Sequence, residues 1–263
     1  MPEGTLTSLA RWPVKSLGGE QLTAARLDWR GVGGDRAHAL LDVREGREGR
    51  WLTVRQAPGL LAWSAAYPDA PAERLDPADP PPPTLAAPDG TVWGWDDPGL
   101  EPALAADLGV AVRRHRDLGG QQDLRASVLV TTEASRRALA EALGRPVELR
   151  RFRTNVHLEL DAPAFAEERW RGGRLRVGEV TLALARPCAR CVIPTRDPDD
   201  LSRWPELLRW LHRRRRALFG VNATVVGAGV VRAGDQVTVE APADPAEPRP
   251  ATDWDVVAPR GAS

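Results

Sequence analysis

Lysine is almost missing from this chain. Of its 36 basic residues only Lys15 is lysine; the rest are arginine, set against 36 acidic residues. The abundance of Ala, Arg, Gly and Pro is what a GC-rich genome produces, and there drift replaces lysine wherever arginine serves. A lysine that remains marks either a place where a compact ammonium works and a planar fork does not, or a chance survivor; composition leaves both open. Cysteine is nearly as scarce, and two copies, Cys188 and Cys191, make no disulfide framework. No apolar run approaches the ~18 residues of a membrane span, so no membrane partner is expected. The opening MPEGTLTSLARWPVK lacks a basic stretch followed by an apolar block, which excludes a signal peptide and makes the cytoplasm the expected compartment. Net charge is zero, so wholesale nucleic-acid binding has no support.

What is present is enough for a real core: 263 residues, 42% of them hydrophobic, fit one large domain or two ordinary ones. TLTSLARWPV, LTAARLDW, HALLDV and WLTVRQ read as short strands separated by turns, the last two by the charged tip REGREGR. DPADPPPPT is a stiff loop. A domain boundary is expected in LGGQQD, dividing residues 1–120 from 121–241, with a flexible tail over 242–263. VLVTTEASRRALAEALG reads as a strand and then a helix, with Thr132 as N-cap, an apolar stripe through Leu139 and Leu143, and Gly144 as the stop. WPELLRWLHRRRRALFG is a second helix, with Leu207, Leu208 and Leu211 on one face. FRTNVHLEL, GRLRVGEVTLALARP and AGDQVTVEA add strands. Strands outnumber helices, so a mainly β or α+β barrel fits better than a doubly wound sheet.

The two cysteines stand as C-x-x-C in ARPCARCVIPTRDPDD. Structural zinc needs about four ligands, and His38, His115, His157 and His212 are scattered. A thioredoxin-like dithiol needs a helix after the pair, which VIPTRDPDD with its two prolines opposes. GVGGDR lacks the spacing of a phosphate loop and reads as a turn. Taken alone, the pair reads as two small core residues at a strand end.

The motifs gain meaning in series. RWPVKSLGGE, GDRAHALLD, LTVRQAPGL, FRTNVHL, FAEERW, LRVGEVTL, PCARCVIPTRDPD and FGVNATVVGAGVVRAGDQV follow one another in this order. That order resembles the MOSC family, proteins related to the C-terminal domain of molybdenum-cofactor sulfurase. Within it the chain is most similar to members with an added N-terminal β-domain, the amidoxime-reducing components and their bacterial relatives. The resemblance implies a MOSC β-barrel packed with a strand-rich N-terminal domain and a few helices, holding a molybdenum cofactor (molybdopterin). It implies Cys191 as the molybdenum ligand and catalytic residue. It also implies a cofactor-binding set of Lys15, Ser16, Arg36, Ser127, Arg153, Asn155, Cys188 and Arg190. A soft thiolate suits such a metal, and Arg186 and Arg190 flank the pair. The implied activity is reduction of a small N-oxygenated substrate with electrons from a separate ferredoxin- or flavoprotein-type donor, since no cysteines remain for an iron–sulfur cluster. The alternative is a carrier of the cofactor or its sulfur without turnover. The chain departs from its relatives at TRDPDDLSRW, which lacks their Thr-Gly ending, and at DLRASVLV, where Ser127 stands without the usual proline.

Overall fold

The computed structural model describes residues 1–116 and 128–242. Seven strands form a closed ring. In chain order they are β1 (Glu3–Arg11), β2 (Val128–Thr132), β3 (Val156–Leu160), β4 (Arg174–Val177), β5 (Val180–Ala189), β6 (Leu218–Gly227) and β7 (Gln236–Glu240). Around the ring the order is β1-β3-β2-β6-β5-β4-β7, and β7 returns to β1; only the β2–β3 pair is parallel. A closed ring leaves no open sheet edge. The interior is filled by alternate residues of the strands, among them Leu6, Val130, Val156, Leu158, Leu182, Ala223 and Val239, all buried. The alternation slips in β1, where the register with β3 shifts between Leu6 and Ser8. At Gly4 the β3 backbone lies so near that a Cβ would stand 1.9 Å from the Glu159 carbonyl oxygen.

Outside the barrel lie α2 (Glu133–Leu143) and α3 (Pro205–Arg215), preceded in the chain by α1 (Leu100–Leu108). Thr132 caps α2 as its spacing predicts, its Oγ1 accepting from the Ser135 N–H, and Gly144 ends the helix at φ +66°. Leu139, Leu207 and Leu211 are buried against Leu129 and Phe219, and Phe152 stacks on Phe219 at 4.1 Å. Burial of each such leucine contributes roughly 1.5–3 kcal/mol.

The segment between β1 and β2 builds a second core of Val14, Leu17, Leu40, Leu52, Trp63, Leu85, Leu100 and Leu104. The strands of this segment fall into separate three-stranded sheets. The strand Ala24–Asp28 pairs with Gly229–Arg232, tying this segment to the far end of the chain. The strand expected over WLTVRQ is confined to Arg50–Trp51, because the following residues turn, with Gln56 Oε1 accepting from the Thr53 N–H and Oγ1. Helix α1, which the apolar spacing of LEPALAADLG did not reveal, packs Leu100 and Leu104 on this core and stops at Gly109. The boundary near residue 120, Ser127 and nearly all of the expected tail lie outside the described residues.

Candidate functional site

Three turns meet beside the end of the barrel. The first leaves β1 at Arg11 and turns at Pro13; the Lys15 N–H donates to the His38 carbonyl at 2.8 Å, and Ser16 adopts φ +74°. The second is Gly34-Asp35-Arg36. Its Arg36 N–H donates to the Trp12 carbonyl at 2.8 Å, and Asp35 Oδ1 accepts from the Trp12 N–H at 2.7 Å. Gly34 is required here, because at φ +77° a Cβ would stand 2.7 Å from the Tyr67 ring. The third is Arg153-Thr154-Asn155, where Arg153 ends the short helix Leu149–Phe152 at φ +56°.

Side chains bind the three together. Arg36 pairs with Asp35, and its Nη1 lies 3.5 Å from Asn155 Oδ1. Asn155 is fully buried; its Oδ1 accepts from the Leu129 N–H at 3.1 Å and its Nδ2 donates to the Ala10 carbonyl at 3.3 Å. Arg153 donates to the Leu17 carbonyl and lies 4.6 Å over the Trp12 ring. Lys15 Nζ lies 4.7 Å from the centroid of the Trp51 ring. Burial raises the Asp35 carboxyl above its ordinary value, against the pull of Arg36, the Trp12 N–H, Arg153 and Asn155.

The cysteine element joins this cluster through Arg190. Its Nη2 donates to the Phe152 carbonyl at 2.7 Å, its Nη1 to Cys188 Sγ at 3.0 Å, and its N–H to the Ala217 carbonyl at 2.7 Å. Cys188 lies one residue before the end of its strand, against the outer core, and Cys191 follows just beyond the strand. Both are free and half-buried, and Cys191 Sγ has no hydrogen-bond partner among the described residues. Two residues on, Ile193 packs against the core that contains Val14 and Leu17, which flank Lys15 and Ser16. Arg186 makes no hydrogen bond to either sulfur; Arg190 alone of the two flanking arginines does. The altered TRDPDD loop is anchored too, Asp197 pairing with the buried Arg151 and Thr195 Oγ1 donating to the Val192 carbonyl at 2.7 Å.

Lys15, Ser16, Arg36, Arg153, Asn155, Cys188 and Arg190 therefore form one contiguous assembly, with Cys191 between two of its anchors. Trp12, Asp35, Trp51 and Phe152 belong to it as well. They sit inside or beside the quoted motifs, and no spacing distinguishes them from core residues. The Trp12 and Trp51 Nε1 atoms and Arg190 Nε are buried donors with no acceptor among the described residues. Among those residues no three His, Cys, Asp or Glu side chains gather as a metal-holding cluster, and no helix is long and apolar enough to cross a membrane.

Two family descriptions match the sequence: a MOSC N-terminal beta barrel domain over residues 3–87 and a MOSC domain over residues 114–238. The chain belongs to the MOSC family. Mitochondrial amidoxime-reducing component 1 of Mus musculus is 29% identical over 154 residues, which make up 54% of this chain and 44% of that protein. The match thus spans less than half the length of that relative. Among solved structures, the YUAD protein from Bacillus subtilis overlays with a TM-score of 0.49 at 13% identity, over 92% of this chain and 98% of that one. YiiM from Geobacillus stearothermophilus gives 0.35 at 17% identity, over 43% of this MOSC chain and 53% of its own.

Proposed function

We propose that this MOSC protein binds the molybdenum cofactor and reduces a small N-hydroxylated compound with electrons from a separate donor. One observation carries the reading: the turns that carry Lys15, Ser16, Arg36 and Arg153 meet, and Arg190 links them to a cysteine pair in which the Cys191 sulfur has no hydrogen-bond partner among the described residues. The cationic side chains gathered here, together with the Trp12 and Trp51 Nε1 and Arg190 Nε donors that meet no acceptor among the described residues, fit an anionic, phosphate-ended ligand. Bound there, the cofactor would supply a two-electron centre for breaking an N–O bond, the substrate taking up two electrons and two protons and leaving as the reduced nitrogen compound and water.

The remaining work falls to the chain. Cys191 would ligate the metal as a thiolate. Lys15, Ser16, Arg36 and Arg153 would hold the phosphate and pterin, each charge-assisted hydrogen bond contributing about 1.5–3 kcal/mol. Asn155 fixes the turn between them. Arg190 holds the cysteine loop to the Phe152 carbonyl and occupies the sulfur of Cys188, which leaves Cys191 as the sulfur open to a ligand. Two cysteines cannot build an iron–sulfur cluster within these residues, and a separate electron donor belongs to this reading. Arg213 and Arg214, exposed and outside any ion pair among the described residues, offer an acidic ferredoxin- or flavoprotein-type donor a cationic face. A cytoplasmic setting, where thiols stay reduced, belongs to the same reading.

The test is metal analysis of protein made in a host that synthesises molybdopterin. Wild type is expected to carry near-stoichiometric molybdenum, Cys191→Ser background levels, and Cys188→Ser most of the wild-type amount, since serine also accepts from Arg190. Equal loss from both variants would point to a shared two-cysteine site. Loaded protein that stays inert toward hydroxylamines and amidoximes with a reduced dye would instead be a cofactor carrier.

A further inference from the structure

Between the barrel wall and α2 runs a line of four side chains that the reading above does not use. His157 Nε2 lies 3.0 Å from Glu133 Oε2, and His157 Nδ1 lies 2.8 Å from Thr131 Oγ1. Thr131 Oγ1 lies 3.3 Å from Thr154 Oγ1. Thr131, His157 and Thr154 are all buried, and Thr154 stands between Arg153 and Asn155 of the candidate site.

Chemistry gives this line a direction. Glu133 is held ionised, chiefly by its hydrogen bonds from Arg136, so it can only accept, and the His157 Nε2–H must donate to it. Burial holds His157 below its ordinary value, against the pull of Glu133. A neutral ring protonated at Nε2 leaves Nδ1 as an acceptor, which takes the Thr131 hydroxyl proton. A hydroxyl has one proton, so with its own given to the ring Thr131 Oγ1 can only accept across its 3.3 Å contact with Thr154 Oγ1. Every donor points toward Glu133. Protonation of Nδ1 would reverse the chain: the ring then donates to Thr131 Oγ1, the Thr131 proton turns to Thr154 Oγ1, and the Thr154 proton loses its acceptor and must swing elsewhere. The charged groups around the imidazole are Glu133 and Arg136 on α2 and Glu159 on its own strand; β1 and β2 present the hydroxyls of Thr7 and Thr131.

We propose that His157 is a positioning residue: through Thr131 and Thr154 it holds the left-handed Arg153 turn in place, and its protonation releases that turn and the ligand held there. The ligand arm rests on the cofactor reading above; the positioning arm does not.

The experiment is nitrogen-15 NMR of the full chain, following the His157 ring and the amides of Arg153, Thr154 and Asn155 as pH falls. The three amides should shift with the same midpoint as His157, below 6.5. At neutral pH Thr131→Ser, which keeps the hydroxyl, should leave those amides in place, and Thr131→Val should move them. His157→Gln can accept from Thr131 and donate to Glu133, so it should keep their neutral positions and lose their titration. Amides indifferent to His157 titration, or equal in the Ser and Val variants, overturn the proposal. In parallel, Thr131→Val should release molybdenum roughly tenfold faster than Thr131→Ser. Wild type without molybdenum but with coupled amides would sink the cofactor reading alone. Equal release from both variants with unmoved amides would sink the positioning alone.

Discussion

Ser16, Arg36 and Arg153 hold a backbone conformation that side-chain-bearing residues avoid, with φ of +74°, +50° and +56°. Seven non-glycine residues among those described share this trait, and a fourth of them, Ala217, gives its carbonyl to Arg190. Each costs of order 1–3 kcal/mol and persists only where its surroundings over-determine it. Concentrated at one place, the strain is the mark of a site whose side chains must point inward whatever the backbone prefers. Ser16→Gly therefore separates stability from binding. Glycine relieves the strain but gains freedom in the unfolded chain, so urea unfolding should show a net rise of about 0.5–1 kcal/mol. Retained molybdenum should fall, because the hydroxyl is lost. A stabilised variant with full occupancy would remove Ser16 from the cofactor contacts. At this scale the sequence was partly readable. Lys15 stood out by composition and Cys191 by resemblance, whereas backbone torsions and the stacking of Arg153 on Trp12 leave no trace in residue spacing.

Elements were legible where a local rule acts and hidden where packing decides. Helix α2 announced itself through its cap, stripe and stop. Helix α1 begins at a glycine with no capping side chain, and WLTVRQ has strand-like residues that the Gln56 side chain folds into a turn. The N-terminus of α2 also holds a group that no pattern exposes. Glu167, fully buried in FAEERW, accepts from Ser135 Oγ at 2.8 Å and Thr132 Oγ1 at 3.2 Å, and burial pushes its carboxyl up to about 7. The folded chain thus binds this proton more tightly than the unfolded chain, whose ordinary value is 4.5. The stability this contributes is fully present below 4.5 and is lost as pH rises through 7, with a slope of at most about 1.4 kcal/mol per pH unit. His38 acts in the opposite sense. Burial lowers it to about 3, so its contribution is present above 6.5 and lost as pH falls toward 3. Comparing wild type with Glu167→Gln in urea isolates the carboxyl, because the histidines are common to both. The variant should gain on wild type from pH 5 to about pH 7 and level off above it. A difference that stays constant across that range would show that Glu167 does not titrate there.

The whole molecule closes through contacts that lie far apart in the chain. β1 pairs with β3 from Gly4↔Leu160 to Leu9↔Val156, and with β7 from Glu3↔Thr238 to Thr5↔Gln236. Alternation within TLTSLAR announces a strand but says nothing about which strands flank it, so ring closure was reachable only through family resemblance. The segment matching the MOSC domain, residues 114–238, lacks this stave. Without it β3 and β7 become open edges, and the buried contacts of Leu6 and Leu9 are lost, roughly 1.5–3 kcal/mol for each side chain. Against a typical domain stability of about 5–15 kcal/mol, those losses and two unpaired edges are decisive. A fragment of residues 114–242 should therefore show no cooperative unfolding and should aggregate. β1 runs antiparallel to β7, and the Val239 N–H donates to the Pro2 carbonyl at 2.9 Å, so the end of β7 lies beside the start of β1. Residues 1–11 joined after residue 242 by a short glycine-rich linker should then form a hairpin with β7 and restore a cooperative urea transition. If the bare fragment unfolds cooperatively and stays monomeric, β1 is dispensable and the barrel closes without it.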